Sequence, residues 1–315
     1  MTWTGAFTMP QTVIGCDLAR GWIDTHALPT KVVVRIDNNP NSITRWTASL
    51  PANSLVVFEA TSGCDTLLIK ALCDRGLRFA RVNPRQAREF ARATGVLAKT
   101  DRVDARILAD MGRLLPLEVT APPHPDRARL SDFLRRRRQL VEMRKAEKVR
   151  RHSAGQPAIL REIETMIALL DRRIVIMDRK IAALIGDSPE LTEHAELLRA
   201  VPGIGPTVLA TLLGELPELG TLCRRRIASL AGLAPHARES GTWRGTRRIW
   251  GGRRKVREAL YIAALSASRR VPLLIAMRDR MKAAGKAPKT VLIAVARQLL
   301  VILNAMIRNK QPIRL

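Results

Sequence analysis

The pattern of short apolar runs between residues 12 and 95 constrains the fold of this chain more than any other feature of its sequence. Three β-rich runs, TVIGCD, GWIDTHAL and KVVVRID, are separated by turn-like residues within residues 12–37. Their simplest interpretation is a meander of three antiparallel strands. After a helix that ends near Leu50, SLVVFEA and LRFARV are predicted strands, followed by the helical segments GCDTLLIKALCDRG and PRQAREFARATG. This alternation predicts an α/β sheet.

A meander followed by strand–helix units is the order expected of a ribonuclease H-like fold. The segment TAPPHP at residues 120–125 is typical of a linker, so we expect the α/β domain to occupy residues 11–119. Two long, charged helical segments follow, broken by Gly155 and Pro157. In the second, apolar residues recur every three or four positions from Ile159 to Leu184, which is typical of a coiled-coil seam. We expect this coiled-coil segment to cover residues 126–190.

The last third of the chain, residues 195–315, is again mostly helical in pattern. Its segment LRAVPGIGPTVLATLLG, residues 198–214, resembles a helix-hairpin-helix element, in which a glycine-rich turn lets backbone N–H groups approach a DNA phosphate. Gly203 and Gly205 are the glycines of that turn, and a plain helix–helix turn explains them equally well. The predicted fold class is therefore an α/β domain followed by α-helical material.

The charge of the chain indicates the chemistry of its partner. Lys and Arg number 54 against 28 Asp and Glu, the formal net charge is +26, and 43 of the cations are arginines. Such a surface gains free energy by releasing counterions from phosphates, and a guanidinium pairs bidentately with phosphate or guanine. Nucleic acid is favoured over a membrane surface. Aromatic residues make up only 3% of the chain, which disfavours a single-strand binder built mainly on base-stacking platforms and indicates backbone contacts.

Three observations predict a cytoplasmic protein with no membrane partner. The N-terminal residues MTWTGAFTMP lack the basic and apolar regions of a signal peptide. The apolar segment Val291 to Ile307 is interrupted by Arg297, Gln298 and Asn304, so we expect a packed amphipathic helix. The four cysteines, at positions 16, 64, 73 and 223, show neither zinc spacing nor a disulfide framework. We expect them to be small buried hydrophobic residues in a reducing compartment.

Four carboxylates are the candidate metal ligands. Asp17 ends the run TVIGCD and Glu59 ends LVVFE, and strand ends in an α/β sheet bring side chains together. Asp101 and Asp104 lie in KTDRVDARILAD, where a three-residue step places both carboxylates on one helix face. Carboxylates packed together repel each other unless a cation neutralises them, and hard oxygen ligands select Mg²⁺ or Mn²⁺. Two such ions can stabilise both the attacking and the leaving oxygen of a phosphoryl transfer.

Each of these acids also has a structural explanation. Asp101 suits a helix N-cap, Asp104 is a favourable first-turn acid, and Asp17 is a turn residue. The combination of the four, rather than any one of them, supports a metal site. Nearby acids that lie off these strand ends or away from the paired helix face are not chosen, namely Asp24, Asp37, Asp65 and Asp110.

Two basic segments contain the candidate nucleic-acid contacts. Residues 135–151 hold nine basic and two acidic residues, and this segment is either a solvated or a phosphate-tracking helix face. Residues 224–257 hold eleven basic residues and one acid, Glu239, with Trp243 and Trp250 as apolar anchors. The candidate contacts in the two segments are Arg135, Arg136, Arg137, Arg138, Arg224, Arg225, Arg226, Arg238, Arg244, Arg247, Arg248, Arg253, Arg254 and Lys255.

A serine stands in the middle of the second basic segment. Ser240 lies in the turn ESG, and the nearby cations are Arg238, Arg244, Arg247 and Arg248. A serine hydroxyl is a poor nucleophile unless it is deprotonated or metal-activated, and arginines could stabilise phosphate charge around it. From this chemistry alone, Ser240 is better explained as an ordinary turn serine.

Five motifs together resemble a known family. VIGCDLAR, FEATSG, AKTDRVDA, VPGIGPTVLATLLGEL and LAGLAPHARESGTWRG…RRIWGGRRKVREALYIAA look like those of the DEDD transposases of the insertion-sequence family typified by "IS one-ten". That family includes Piv-type DNA invertases and bridge-RNA-guided recombinases. The resemblance spans about Val13 to Ile307. One departure is the triplet Leu18-Ala19-Arg20, where many relatives carry a lysine or serine soon after the first Asp.

The resemblance implies a RuvC-like domain with a metal-binding quartet at Asp17, Glu59, Asp101 and Asp104. It also implies a C-terminal transposase domain with a catalytic serine at Ser240. The implied serine attacks a DNA phosphodiester, which leaves a covalent phosphoserine link and a free 3′-hydroxyl. Because that link conserves the energy of the broken bond, no nucleotide cofactor is needed. Guided members also bind a structured bridge RNA that pairs with donor and target DNA, and members assemble as dimers and tetramers.

Three alternatives remain open at this point. The chain could be a RuvC-like junction-resolving nuclease that uses metal-activated water, or a DNA- or RNA-binding protein that has lost activity. The presence of all four carboxylates and the serine argues against such a loss. The third alternative is an unguided invertase of the same family. The segments Arg135–Arg138 and Arg224–Arg226 could hold either RNA or DNA.

Overall fold

A computed structural model describes residues 12–60, 63–96, 101–121, 124–237, 239–240, 243–245 and 247–312; for 101–103, 239–240 and 243–244 it describes the backbone alone. The chain divides into two compact units, residues 1–122 and 123–315. We call these the N-terminal unit and the helical unit. The finer division into residues 11–119, 126–190 and 195–315 stays a prediction.

The N-terminal unit is built on a mixed five-stranded sheet with the strand order β3-β2-β1-β4-β5. The first three strands form the predicted antiparallel meander, and β4 and β5 continue the sheet in parallel with β1. The strands are β1 (Val13–Leu18), β2 (Trp22–Leu28), β3 (Val33–Asp37), β4 (Leu55–Glu59) and β5 (Arg78–Val82). The helices of this unit are α1 (Pro40–Ala48), α2 (Thr66–Asp74), α3 (Pro84–Ala93) and α4 (Asp101–Leu114).

Both faces of this sheet are covered, which explains the continuous apolar runs in β1 and β4. On one face, Cys16 and Phe58 belong to a buried cluster that includes residues of α1 and α2. On the other face, Val13 and Val57 pack with Leu108 of α4. Successive side chains in a strand point to opposite faces, so alternate residues of one strand pack into the buried clusters on the two faces of the sheet. The predicted α/β domain is confirmed as a mixed α/β sheet.

The helical unit contains eight helices within the part that the structure describes. Most of them begin with a proline in the first turn, where its missing N–H costs no intrahelical hydrogen bond. The helices are α5 (Pro125–Ser153), α6 (Pro157–Asp187), α7 (Pro189–Arg199), α8 (Pro206–Glu215), α9 (Arg224–Leu230), α10 (Arg254–Ala267), α11 (Pro272–Ala283) and α12 (Pro288–Asn309). Four two-residue strands lie between α9 and α10, namely β6 (Pro235–His236), β7 (Glu239–Ser240), β8 (Trp243–Arg244) and β9 (Arg248–Ile249).

Helices α5 and α6 form an antiparallel hairpin. Ion pairs between Arg137 and Asp178 and between Arg144 and Asp171 join its two helices. The predicted apolar seam of α6 supplies Leu170 to a small buried cluster with residues of α5. This part of the seam is therefore buried within one chain, and a coiled coil between chains stays a prediction.

The apolar segment near the C-terminus is a packed helix, as expected. Helix α12 is long and apolar enough to cross a membrane by length and composition, but half of the apolar window is buried inside the protein. Leu299, Leu300 and Leu303 of α12 are fully buried in the large core of the helical unit. Asn304 lies in the same core, where its side chain accepts a hydrogen bond from the Gly220 amide and donates one to the Leu222 carbonyl.

Candidate metal site and nucleic-acid interface

The sheet register brings two of the predicted metal ligands to one edge. Strands β1 and β4 are parallel, with paired residues from Val13 opposite Leu55 to Cys16 opposite Phe58. Asp17 and Glu59 are the next residues of the two strands, and both are half-buried. Because they alternate with Cys16 and Phe58, they lie on the opposite face, the one that α4 covers.

Two glycines determine how α4 crosses this face. A methyl group on Gly15 would overlap the carbonyl oxygen of Ala105, and one on Gly112 would stand 2.7 Å from side-chain carbons of Val13 and Val57. The C-terminal part of α4 therefore lies over the start of β1. Its N-terminal part lies toward the end of β1, where Asp17 stands.

This orientation directs the first turn of α4 toward the same edge of the sheet. Asp104 directly precedes Ala105, the residue that contacts Gly15, and Asp104 is half-buried. Asp101 begins the helix three residues earlier, and its side chain lies outside the described atoms. Three of the four predicted ligands therefore come from elements that meet at one edge, and the backbone of the fourth lies one helical turn away.

Three of the four acids that were not chosen as metal ligands have arginine partners. Asp24 is buried and accepts hydrogen bonds of 2.9 and 2.6 Å from Arg35. Asp65 is also buried and lies 2.6 Å from Arg81. The third is Asp110, which lies 3.6 Å from both Arg106 and Arg113. These contacts explain Asp24, Asp65 and Asp110 without a metal ion.

Two properties decide whether the four carboxylates could hold a divalent ion: the chemistry of their donor atoms and the positions of the strands and helix that carry them. Among the side chains that the structure describes, no three His, Cys, Asp or Glu groups lie close enough together to hold a metal ion. The Asp101 carboxyl is not among those side chains. Carboxylate oxygens are the ligands that Mg²⁺ and Mn²⁺ prefer. The quartet thus has suitable donors on converging elements, and its coordination geometry stays a prediction.

The cysteines differ in their surroundings. Cys16 is fully buried, and burial, followed by the charge of Asp17, raises the pKa of its thiol. Cys64 and Cys73 are half-buried and Cys223 is exposed, which corrects the expectation that all four cysteines are buried. Hydrogen bonds from the backbone amides of Arg226 and Arg225, at the start of α9, lower the pKa of the Cys223 thiol. All four thiols are free.

Ser240 ends a short strand rather than lying in an open turn. Strand β7 pairs with β8 in antiparallel fashion, with Ser240 opposite Trp243. Two residues, 241 and 242, join the strands, and they lie outside the described part of the chain. The side chains of Ser240 and Arg244, and all of Arg238, are likewise outside it. The catalytic role of Ser240 stays a prediction.

Several predicted nucleic-acid contacts form ion pairs within the helical unit. Arg138 lies 2.9 Å from Glu215, and Arg253 pairs with Glu218. The other pairs join Arg135 to Asp132, Arg137 to Asp178, Arg254 to Glu258, and Lys255 to Glu215. Arg136 donates a hydrogen bond to Gln139. These partners give each residue a structural explanation, and contact of these residues with nucleic acid stays a prediction.

Four other predicted contacts line one groove. Arg224 and Arg225 of α9 and Arg247 and Arg248 near β9 surround a groove of about 1110 Å³. Two further cations of this groove, Lys289 and Arg297, were missed because they lie on α12, which its sequence identifies mainly as apolar. Their separation of eight residues, about two helical turns, was the available signal for a shared face.

The two glycines of the predicted hairpin turn differ. Gly203 has a φ of +101°, and a methyl group on it would stand 2.7 Å from the carbonyl oxygen of Ala263 in α10. Close packing of helices therefore accounts for Gly203. Gly205 is the N-cap of α8 and has open space around its α-carbon. Phosphate binding at this turn stays a prediction.

A buried arginine stabilises the helical unit. Arg127 donates hydrogen bonds to the Leu213 carbonyl at 2.8 Å and to Glu190 Oε1, and it lies 3.0 Å from His194 Nδ1. Burial alone would raise the pKa of Glu190, but the hydrogen bond and charge of Arg127 hold it below its usual value. Burial and then the charge of Arg127 lower the pKa of His194. This cluster is a structural element of the fold.

Two family models match the chain. The one described as "Transposase IS116/IS110/IS902 family" matches residues 195–280, which include Ser240 and part of the groove. A DEDD transposase model named for IS110 matches residues 30–154, which include Glu59, Asp101 and Asp104.

Curated relatives extend these matches along the chain. The pilin gene-inverting proteins of Moraxella bovis and Moraxella lacunata are each 29% identical, over 96% of this chain and 98% of their own length. An uncharacterized 42 kDa protein of insertion element IS900 from Mycobacterium paratuberculosis is 29% identical over 58% of this chain and 48% of its own length.

Proposed function

The chain belongs to the IS116/IS110/IS902 transposase family, and we propose that it cuts and rejoins DNA through a covalent phosphoserine link at Ser240 and a divalent-metal site in a RuvC-like N-terminal domain. Family membership and the DNA-inverting relatives identify it as a DNA transposase or recombinase. The roles of the site residues, the use of a metal ion and the covalent step at Ser240 are proposals.

The observation that carries the proposal is the convergence of Asp17, Glu59 and the first turn of α4 on one sheet edge. The register of β1 and β4 aligns the first two residues, and the contact between Gly15 and Ala105 brings Asp104 toward them. Asp101 would complete the set. A divalent ion held there, Mg²⁺ or Mn²⁺, would supply positive charge to a DNA phosphate.

The proposed chemistry at Ser240 is a transesterification. The serine oxygen forms a bond to the phosphorus of a DNA phosphodiester while the bond from phosphorus to the 3′-oxygen breaks. The serine proton is lost, and the departing 3′-oxygen gains a proton. One phosphate ester replaces another, so the reverse attack by a 3′-hydroxyl rejoins DNA without a nucleotide cofactor. Cations around the serine would stabilise the extra negative charge at phosphorus.

The proposed partners are double-stranded DNA, a structured bridge RNA and further copies of the chain. The excess of arginine supports contact with nucleic-acid backbones. Assembly into dimers and tetramers is supported by apolar residues of the α5–α6 hairpin that stay exposed, among them Val149, Ile159 and Val175. We place this activity in the cytoplasm.

A second candidate, site-specific DNA inversion without an RNA guide, is favoured by one observation. The relatives named for pilin gene inversion align with almost the whole chain. The two candidate functions share the serine chemistry, and they differ in whether the protein needs a guide RNA. Sequencing RNA that co-purifies with the protein, and assaying recombination after ribonuclease treatment, separates them. Activity that survives ribonuclease treatment would favour unguided inversion.

The serine mechanism is tested with Ser240→Ala, and Ser229→Ala is the matched control because Ser229 is an exposed serine of the same unit. Recombination of a plasmid carrying the element ends and a denaturation-resistant protein–DNA adduct are measured together. Ser240→Ala should abolish both, and Ser229→Ala should retain both. Recombination by Ser240→Ala would exclude the serine mechanism and favour a metal-activated water.

A further inference from the structure

One groove of the helical unit combines positive walls with an apolar floor. It is formed by α9, β9, α11 and α12 and has a volume of about 1110 Å³. This lies at the upper end of the range of small-ligand sites, roughly 300–1,000 Å³. The groove therefore has room for more than one nucleotide.

The charge of the groove differs from that of the rest of the unit. Its six cations are Arg224, Arg225, Arg247, Arg248, Lys289 and Arg297, and none of the lining residues is acidic. Elsewhere many arginines are matched by acids, as in the pairs of Arg138 with Glu215 and Arg253 with Glu218. Within the described part of the chain, neither Lys289 nor Arg297 forms an ion pair. Close like charges repel each other, so an anionic ligand in the groove would stabilise this arrangement.

The floor of the groove is apolar but not aromatic. Met277 and Met281 of α11 and Ile293 and Val301 of α12 line it and are half-buried, whereas most of its cations are exposed. Methionine is flexible and polarisable, and such side chains adapt to flat ligand surfaces of different shape. The groove thus offers a surface for the faces of bases beside a row of cations for phosphates.

We propose that this groove binds a single polynucleotide strand, with phosphates along the cations and base faces over the methionine and aliphatic floor. A duplex hides its base faces in the stack, so it could not use the floor, whereas an unpaired strand exposes them. The inference rests on the proposed function in one respect, the identification of the polyanion as nucleic acid. It adds a site for the strands that separate when DNA or guide RNA is unpaired.

Binding of fluorescein-labelled 12-nucleotide single strands, of DNA and of RNA, is measured by anisotropy with the full chain in EDTA, and a 12-base-pair DNA duplex is the comparison. The groove variant is Lys289→Gln/Arg297→Gln. The control, Arg280→Gln/Lys282→Gln, removes the same charge from exposed positions on α11 that do not line the groove. Whichever single strand binds more tightly identifies the polymer the groove prefers.

The groove variant should weaken single-strand binding roughly tenfold more than the control, the order expected for two lost ion pairs in contact with solvent. The slope of log K against log salt should become shallower by about 1.4, since each neutralised phosphate of a single strand contributes about 0.7. Duplex binding should change equally in both variants. Equal effects of the two variants on single strands, or an equal loss of duplex binding in the groove variant, would overturn the proposal.

Three single variants test the cations, the floor and the serine separately. Lys289→Gln alone changes an exposed residue in the first turn of α12, so this variant should fold. It tests the cations if the double variant does not fold. Met277→Gln should weaken single-strand binding without changing the salt slope, and an unchanged affinity would remove the floor from the proposal. Ser240→Ala should bind the strand as the unaltered protein does, so strand binding and serine chemistry can fail independently.

Discussion

The α-carbon of Gly15 in β1 lies directly against the carbonyl group of Ala105 in α4, with no room for a methyl group between them. This contact directs the first turn of α4 toward the end of β1, where Asp17 stands. The position of Asp104 relative to the sheet therefore depends on a residue with no side chain. This dependence leads to the first prediction.

Gly15→Ala should lower the free energy of unfolding of the N-terminal unit by about 2–3 kcal/mol, because the added methyl group must displace the backbone of α4. Hydrogen exchange of the β1 amides measures the change. Gly21→Ala is the control, since nothing lies within 4 Å of a methyl group at Gly21. Equal protection of β1 in the two variants would show that α4 does not pack this closely.

Asp104→Asn should reduce recombination by more than about 100-fold, because a lost metal ligand costs at least as much as a lost outer-shell partner. It should also abolish any rise in melting temperature that Mn²⁺ produces in the unaltered protein. The matched control is Asp110→Asn on the same helix, where the carboxylate lies 3.6 Å from Arg106 and Arg113. Full recombination by Asp104→Asn, or an equal loss in both variants, would remove Asp104 from the metal site.

The helical unit should lose stability as the pH falls. The pKa of His194 is lowered by burial and by Arg127, so the unfolded chain takes up this proton at a higher pH than the folded one. Stability is therefore lost from about pH 6.5, the ordinary histidine pKa, downward. The lowered pKa of Glu190 extends the loss below the ordinary carboxyl range. Urea unfolding from pH 8 to about pH 2.5 measures both steps.

The variant His194→Gln should flatten the upper part of this pH dependence and keep most of the lower part, because Arg127 lowers the pKa of Glu190 more than His194 does. His26 of the N-terminal unit also has a lowered pKa, mainly through burial, so hydrogen exchange of each unit separates the two histidines. An unchanged profile for the helical unit of His194→Gln would contradict the assignment.

Cys223 should be alkylated by iodoacetamide faster than an ordinary thiol at neutral pH. The backbone amides of Arg226 and Arg225 lower its pKa, and its side chain is exposed. Cys16 should stay unmodified in the folded protein, since burial excludes the reagent and raises the pKa of its thiol. Peptide mass spectrometry of a timed reaction measures both. Faster labelling of Cys16 than of Cys223 would contradict this prediction.

Much of the N-terminal fold could be predicted from local patterns. The runs around Cys16 and Phe58 are apolar on both sides of each strand, which identifies strands covered on both faces. The meander and the strand–helix order followed from the turn residues between them. The close approach at Gly15 could not be predicted, because a glycine in a strand does not reveal which helix lies against it.

The sequence of the basic segments does not reveal which of their arginines are paired with acids in the folded protein. Arg137 is paired with Asp178 and Arg253 with Glu218, partners that lie 41 and 35 residues away in the chain. A run of arginines therefore looks the same in sequence whether folding pairs it with acids or not. Lys289 was missed for the converse reason, since its groove partners in α9 lie more than sixty residues earlier.

The α5–α6 hairpin holds its tip at a fixed distance from the core of the helical unit. Ile181 belongs to the large core of the helical unit, and Pro157, the first residue of α6, lies 24 residues earlier. At a rise of 1.5 Å per residue, that stretch of helix measures about 36 Å. One turn of B-form DNA measures roughly 34–36 Å. A duplex lying along the hairpin would present the same side of its helix at the tip and at the core, so contacts made at these two places would be in phase with the DNA.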